Sequence, residues 1–399
     1  MAERQTSFFL RRIDSRLGPL ALVTIDNGAD HTKPSVFGRG AFESLLRVLD
    51  RLEAESWCAL VLTGKPFVFA AGADIKEFPA VSTPDLARAA SRAGHEAFGR
   101  IRALPFPTLA AVNGAALGGG VEIALHCDYR TISTGVRHFA CPEVFLGIIP
   151  AWGGTQLVPR LVGAEHAVRF VVLNPLRQNR MLTGAQAFEY GFADALLEPV
   201  EFLDESIEWL LARVESEAPA REPADLSEVA EACRRARSQV DDAVHGASEA
   251  PYRALDLIEG AARWTVEQGY REEEEALASL LPGPQAQASV YAFDLVERRV
   301  KRGVGVPETE PRRVAKVGIA GAGVMARQLA LLVLRRLEVP VMLTDVVPEQ
   351  LDDARAWIAG ELSAQAAKGR YPEGKARFLA GLVRGETGYE HFGGCDLVL

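Results

Sequence analysis

Through residues 1–200, short apolar runs alternate with stretches whose apolar positions recur every three or four residues. Leu20–Ile25 (LALVTI) and Cys58–Thr63 (CALVLT) are apolar runs of strand length, each followed by a polar or Gly-containing turn and a helical stretch. Apolarity without alternation over so short a span predicts strands buried on both faces. Phe42–Leu52 and Leu86–Leu104 carry apolar residues at helical spacing; Pro105 and Pro107 end the second before a further strand over Thr108–Val112. From about 200 to 310 the pattern turns helical. Glu201–Val214 is amphipathic, Ala218–Asp225 is a Pro-containing break, and helices are expected over Leu226–Val240, Tyr252–Gln268, Arg271–Leu281 and Gln287–Val300. Glu272–Glu275 reads as a solvated helix face, and Gly303–Arg313 (GVGVPETEPRR) as a linker. At Val314 short-period apolarity returns: a strand over Val314–Ala320, a Gly-rich turn, a helix to about Glu338, and a strand Val339–Thr344 ending at Asp345.

The chain is therefore read as α/β, in three segments: 1–200, a helical linker 201–312, and a second α/β segment 313–399. Its 399 residues call for two or three units. A net charge of −9 argues against a nucleic-acid surface, although a phosphorylated small molecule needs only a local basic pocket. No apolar run reaches membrane-spanning length; the best candidate, Leu329–Leu334, is cut by Arg335 and Arg336, and the N-terminus has no secretory h-region, so a cytoplasmic protein without a membrane span is expected. Five dispersed cysteines with no CxxC pair fit reduced thiols rather than a disulfide frame or a zinc site, and no metal is expected.

Three features converge between residues 65 and 156. Phe69–Lys76 (FAAGADIK) is a loop of small residues that lets a ligand approach backbone N–H groups. Gly118-Gly119-Gly120 opens a helix expected over Val121–Tyr129, whose first amides lack partners and suit developing negative charge. Glu122 and Glu143 follow. Two carboxyl groups facing one cavity, held in different protonation states, suit the addition of water across a polarised double bond.

The stretches GADIKEF, NGAALGGGVEIA, CPEVFLG and GIIPAWGGTQ resemble the crotonase superfamily, and within it the enoyl-CoA hydratases. The resemblance implies a spiral of ββα turns and an oxyanion hole for an acyl-CoA thioester built from the backbone N–H groups of Ala73 and Gly119. It further implies that Glu122 activates water for attack at C3 and that Glu143 donates a proton to C2. Beside these, His126 reads as a helix-packing residue, and Trp152 equally as an acyl-pocket wall or a plain packing aromatic. Lys65 and Lys76 read as solvated, with a contact to CoA phosphates as the alternative.

Gly321-x-Gly323-x-x-Ala326 follows a strand, opens a helix and leads to Asp345 at the next strand end, the order of a dinucleotide-binding βαβ unit. This portion resembles the 3-hydroxyacyl-CoA dehydrogenases. The resemblance implies that Gly321, Gly323, Met325 and Asp345 bind NAD within an incomplete Rossmann-type domain. The order of segments resembles the multifunctional fatty-acid oxidation α-subunits, which implies an oligomer, a thiolase subunit as partner, and a hydratase product passed to the dehydrogenase. The family's catalytic histidine falls beyond Leu399, so this chain by itself is expected not to oxidise 3-hydroxyacyl-CoA. Three readings stay open at this point: hydration of trans-2-enoyl-CoA, mainly enoyl-CoA isomerisation, and acyl-CoA binding in an assembly subunit without catalysis.

Overall fold

The computed structural model describes all residues except 1–4, 217–220, 297–299, 301–304, 306–308 and 311, so most of the linker expected over 303–313 lies outside the described residues. The chain divides into two compact units, Met1–Val304 and Gly305–Leu399.

In the first unit, strands Ser7–Ser15, Gly18–Asp26, Ala59–Gly64, Thr108–Val112, Tyr129–Ser133 and Ala195–Leu197 form one sheet in that order. The first pair is antiparallel and every later pair parallel. Phe67–Ala70, Gly114–Leu117 and Phe139–Ala140 form a second, parallel sheet. From Ala59 onward, successive turns of chain add a strand to the large sheet and a strand to the small one before a helix, as in Thr108–Val112, Gly114–Leu117 and Gly119–Leu125. Successive turns are clamped together. Asn113 donates from Nδ2 to the carbonyls of Gly64 and Lys65, and its Oδ1 accepts the Gly64 amide.

Ala59–Gly64 and Thr108–Val112 are buried along their whole length, as their unbroken apolarity predicts. The inner face packs on helices Arg39–Ala54 and Pro84–Arg102 in the main core. The outer face carries Leu20, Leu22, Val61 and Leu109, and helix Phe202–Glu215 covers it with Phe202, Leu210 and Leu211. Material after residue 200 is therefore structural for the first unit. The same holds for helices Val229–Val244, Ala250–Gly260 and Val266–Leu280, whose apolar faces join the main core.

Several expectations need correction. The helix opened by the triple glycine stops at Leu125, and Tyr129 already begins a strand. The single helix expected over Tyr252–Gln268 is two, because Thr265 and Gln268 form a reciprocal capping box that starts a new helix at Val266. Lys65 is not solvated. It is 4% exposed. Its ammonium shares three N–H donors among four surrounding oxygens, Asn27 Oδ1 (2.6 Å) and the carbonyls of Ala29, Asp30 and Lys33.

The second unit is a parallel sheet in the order Val383–Glu386, Val341–Thr344, Val317–Ala320, Leu397–Val398, with helices Val324–Leu337, Pro348–Ala367 and Glu373–Gly381 and a separate core. Its first strand is shorter than the expected Val314–Ala320. Among the described residues no helix is long and apolar enough to cross a membrane.

Replacing Lys65 by methionine keeps the bulk but leaves one side-chain and three backbone oxygens without their donor. A loss of about 2 kcal/mol is expected, read as a lower urea midpoint by tryptophan fluorescence; an unchanged midpoint contradicts the bracing role.

Candidate active site

The loop after strand Phe67–Ala70 is pinned to residues 35–37: the Ala71 amide donates to Ser35 O, Phe37 N to Gly72 O, and Asp74 N to Phe37 O. Among the described residues no acceptor takes the amide of Ala73, nor that of Gly119 at the start of helix Gly119–Leu125. The two loops touch. A Cβ on Gly72 would lie 2.8 Å from the Gly119 nitrogen, so only glycine allows this approach. Gly118, at φ 51°, turns the chain into the helix, and any side chain there would collide with Glu143 Oε1.

Glu122 and Glu143, Ala73 and Gly119 line one cavity of about 420 Å³. Its remaining wall is largely apolar, with Phe37, Phe42, Phe78, Leu146, Trp152, Leu277 and Leu281. Glu122 is 2% exposed, and its Oε1 accepts the amides of Trp152 (2.7 Å) and Gly154 (2.9 Å). Glu143 begins the helical turn Glu143–Leu146, and its Oε2 is buried with no hydrogen-bond partner among the described residues. Burial pushes the Glu143 carboxyl up to about 8 against its own backbone amide, with the charge of Glu273 adding to the rise. Burial, then the charges of Glu143 and Glu273, also raise Glu122 well above the usual carboxylate range, against the two amides. The pair therefore holds less than two negative charges at neutral pH. The amides favour the charge on Glu122, and the orphaned oxygen favours the proton on Glu143. Two carboxyl groups with different hydrogen-bond surroundings thus face a single cavity.

Trp152 is both a wall and a packing residue. Its indole packs with Phe37, Phe42 and Phe98, its Nε1–H donates to Ala90 O (3.1 Å), and its six-membered ring lies against Gly119. His126 is a packing residue, as expected. It donates from Nδ1 to Glu122 O (2.8 Å) and accepts the Tyr270 hydroxyl at Nε2 (2.9 Å), and burial lowers it to about 3, so the ring is neutral. Lys76 is exposed and does not line the cavity.

Sequence reasoning missed the contribution of helix Val266–Leu280. The expected solvated face Glu272–Glu275 is wrong at its centre, where Glu273 is 0% and Glu274 7% exposed. Tyr270, Glu273, Glu274, Leu277 and Leu281 share one helical stripe at spacings of three and four, a periodicity the sequence carried but the charge run concealed.

In the second unit, Gly321 at φ 104° makes the turn after Val317–Ala320, and a Cβ on Gly321 or Gly323 would meet nothing within 4 Å. The loop surface is thus open, with Met325 77% exposed beside it. Asp345 Oδ2 accepts the Ala322 amide (2.8 Å) and Oδ1 the Val347 amide (3.1 Å). The carboxylate braces the turn, and each oxygen keeps a further lone pair. These residues fit a dinucleotide: bare glycines, an uncovered helix start and an acid at the strand end.

Residues 30–246 match the family model described as enoyl-CoA hydratase/isomerase. The chain belongs to this family. Residues 316–399 match the model of the 3-hydroxyacyl-CoA dehydrogenase NAD-binding domain. Over 99% of its length the chain is 29% identical to the fatty acid oxidation complex subunit alpha of Shewanella amazonensis, and spans 56% of that relative. The corresponding subunit of Shewanella loihica is 29% identical over 98% of the chain, which again spans 56% of it. Among solved structures, an enoyl-CoA hydratase from Mycobacterium avium subsp. paratuberculosis matches with a TM-score of 0.51 at 20% identity, covering 73% of this chain and 97% of that one. The human mitochondrial delta3-delta2-enoyl-CoA isomerase matches with a TM-score of 0.50 at 19% identity, covering 74% and 99%. The first unit of this hydratase/isomerase family member thus has the crotonase-type spiral expected from its motifs.

Glu143 is expected to make stability depend on pH. Its carboxyl rises from 4.5 to about 8 on folding, so the folded state holds the extra proton between those values and stability falls as pH rises through that window. Thermal unfolding of Glu143→Gln at pH 5 and pH 8 is expected to show a smaller loss than the parent chain; identical losses refute the buried acid.

Proposed function

We propose that the first unit hydrates trans-2-enoyl-CoA to 3-hydroxyacyl-CoA. The observation that carries this reading is the meeting of two carboxyl groups with opposite leanings and two unclaimed amides at one apolar cavity. In this reading the thioester oxygen lies between the amides of Ala73 and Gly119. Glu122, as carboxylate, takes a proton from water while the water oxygen attacks C3. The C2–C3 π electrons move towards the thioester, and the enolate oxygen is held by the two amides. Removing one such donor typically costs roughly 3–4 kcal/mol of barrier. Glu143, protonated, gives its proton to C2. The product leaves with both atoms of the added water accounted for, and solvent exchange returns the proton from Glu122 to Glu143.

The apolar wall suits an acyl chain. Leu277 and Leu281, from beyond the segment that matches the family model, close part of it.

For the second unit the proposal is NAD binding at Gly321, Gly323, Met325 and Asp345. When bound, NAD would supply the hydride acceptor for a 3-hydroxyacyl-CoA. The residues of this chain would hold it: the glycines admit the pyrophosphate to the helix start, and Asp345 takes a ribose hydroxyl while keeping the Ala322 amide in place. A place in fatty-acid β-oxidation, with hydration followed by oxidation, belongs to the same proposal.

Glu122→Gln and Glu143→Gln are each expected to lower hydration of crotonyl-CoA by roughly 10²–10⁴-fold. Full activity in either variant removes the residue from the mechanism, and faster turnover of 3-enoyl than 2-enoyl thioesters by the parent chain moves the assignment to isomerisation. NADH fluorescence titration of the full chain is expected to show binding weakened about tenfold or more by Asp345→Ala, the scale of one lost charge-assisted hydrogen bond. Equal binding by both chains rejects the assigned site.

A further inference from the structure

Four consecutive amides, those of residues 152–155, lead into helix Gly154–Val162, and two buried carboxylates divide them. Glu122 Oε1 takes Trp152 and Gly154. Glu273 takes the other two, Gly153 at Oε2 (2.8 Å) and Thr155 at Oε1 (2.9 Å). Thr155 Oγ1 adds a bond to Oε1 (2.6 Å), and His95 donates from Nε2 to Oε2 (2.8 Å). Four donors and no acceptor face the two oxygens of Glu273, an arrangement that only a carboxylate satisfies. Glu273 does not line the cavity, and it lies outside the segment 30–246 that matches the family model.

We propose that Glu273 is a positioning residue of this site: it holds the turn 152–155 so that the amides of Trp152 and Gly154 alone face Glu122. In this turn successive amides serve the two carboxylates alternately, so holding Gly153 and Thr155 also holds the intervening Gly154 and the adjoining Trp152. Without Glu273, the Gly153 and Thr155 amides would lose their acceptor, and the turn that aims the Trp152 and Gly154 amides at Glu122 would lose its anchor. The charge of Glu273 also keeps Glu122 basic. Around Glu122 stand Glu143, Cys141 just after strand Phe139–Ala140, His126 capping the end of Glu122's own helix, His95 on Pro84–Arg102, and Tyr270 and Glu273 on Val266–Leu280. His95 stacks on Tyr270 with ring centroids 4.2 Å apart, and Tyr270 donates to His126. One connected set of side chains therefore reaches from Glu273 to the backbone of Glu122.

The test rests on the hydratase reading and compares the full chain with Glu273→Gln and Glu273→Asp. Asp keeps the charge but is too short to reach both amides. Its kcat for crotonyl-CoA is expected to fall about tenfold or more, with KM within about twofold and the acidic limb of the kcat–pH profile in place. Gln loses the charge and turns its amide group towards one pair of donors. Its kcat is expected to fall as well, and its acidic limb to move down by about one pH unit, because a like charge beside Glu122 has gone. A merely structural glutamate predicts losses that follow the folded fraction and limbs that stay still in both variants; that result overturns the proposal. Should Glu273→Gln not fold, an unchanged kcat in Glu273→Asp overturns it instead. Should the parent chain hydrate no 2-enoyl-CoA, the hydratase reading fails separately. Infrared titration of the Glu122 carboxyl, assigned by difference against Glu122→Gln, then decides: a shift to lower pH in Glu273→Gln supports the positioning role, and no shift rejects it.

Discussion

The start of helix Gly154–Val162 supplies four amides that nothing within the helix can satisfy, and the site is organised around where they go. Two carboxylates buried to 2% and 0% exposure take them in alternation. Burying a carboxylate is unfavourable by several kcal/mol, and each charge-assisted amide bond returns roughly 1.5–3 kcal/mol. With two amides and no counter-charge on its own carboxyl, Glu122 is under-compensated, so it remains willing to accept a proton. With four donors, Glu273 is saturated. The difference in donor number separates a group suited to proton transfer from one suited to holding a turn.

Glu143 completes the contrast. It receives no donor at Oε2, and its carboxyl is pushed up to about 8. Two glutamates of identical intrinsic chemistry thus meet one cavity in different surroundings, because the turn 152–155 feeds two amides to Glu122 and none to Glu143. The amides of the two facing loops follow the same logic in reverse. Among the described residues the amide at 73 is left without an acceptor while the amides at 71 and 74 and the carbonyl at 72 pin the loop to residues 35–37, and the amide at 119 is a first-turn helix amide with no partner inside its helix.

The second unit is built on a simpler constraint. A strand must turn sharply into a helix, and Gly321 does this with its outer surface bare, while Asp345 ties the turn from the next strand. The motif therefore carries its own bracing, which explains how a short βαβ segment keeps an open loop in shape.

Much was legible in the residues alone. Buried strands announced themselves at Leu20–Ile25 and Thr108–Val112, because a sheet covered on both faces needs unbroken apolarity. The glutamate pair, the small-residue loop and the triple glycine were legible because local motifs require those residue types at fixed spacing. What only the tertiary structure decided lies in contacts between distant segments. Glu273 sat in a run of four glutamates, and nothing local separates a saturated buried carboxylate from a solvated one; His95, Gly153 and Thr155, which distinguish it, lie more than 100 residues away. Lys65 escaped for the same reason, since its acceptors belong to the loop 27–33. A sequence shows which groups can be charged, but burial and partners decide what each charge does, and both are supplied by chain that arrives from elsewhere.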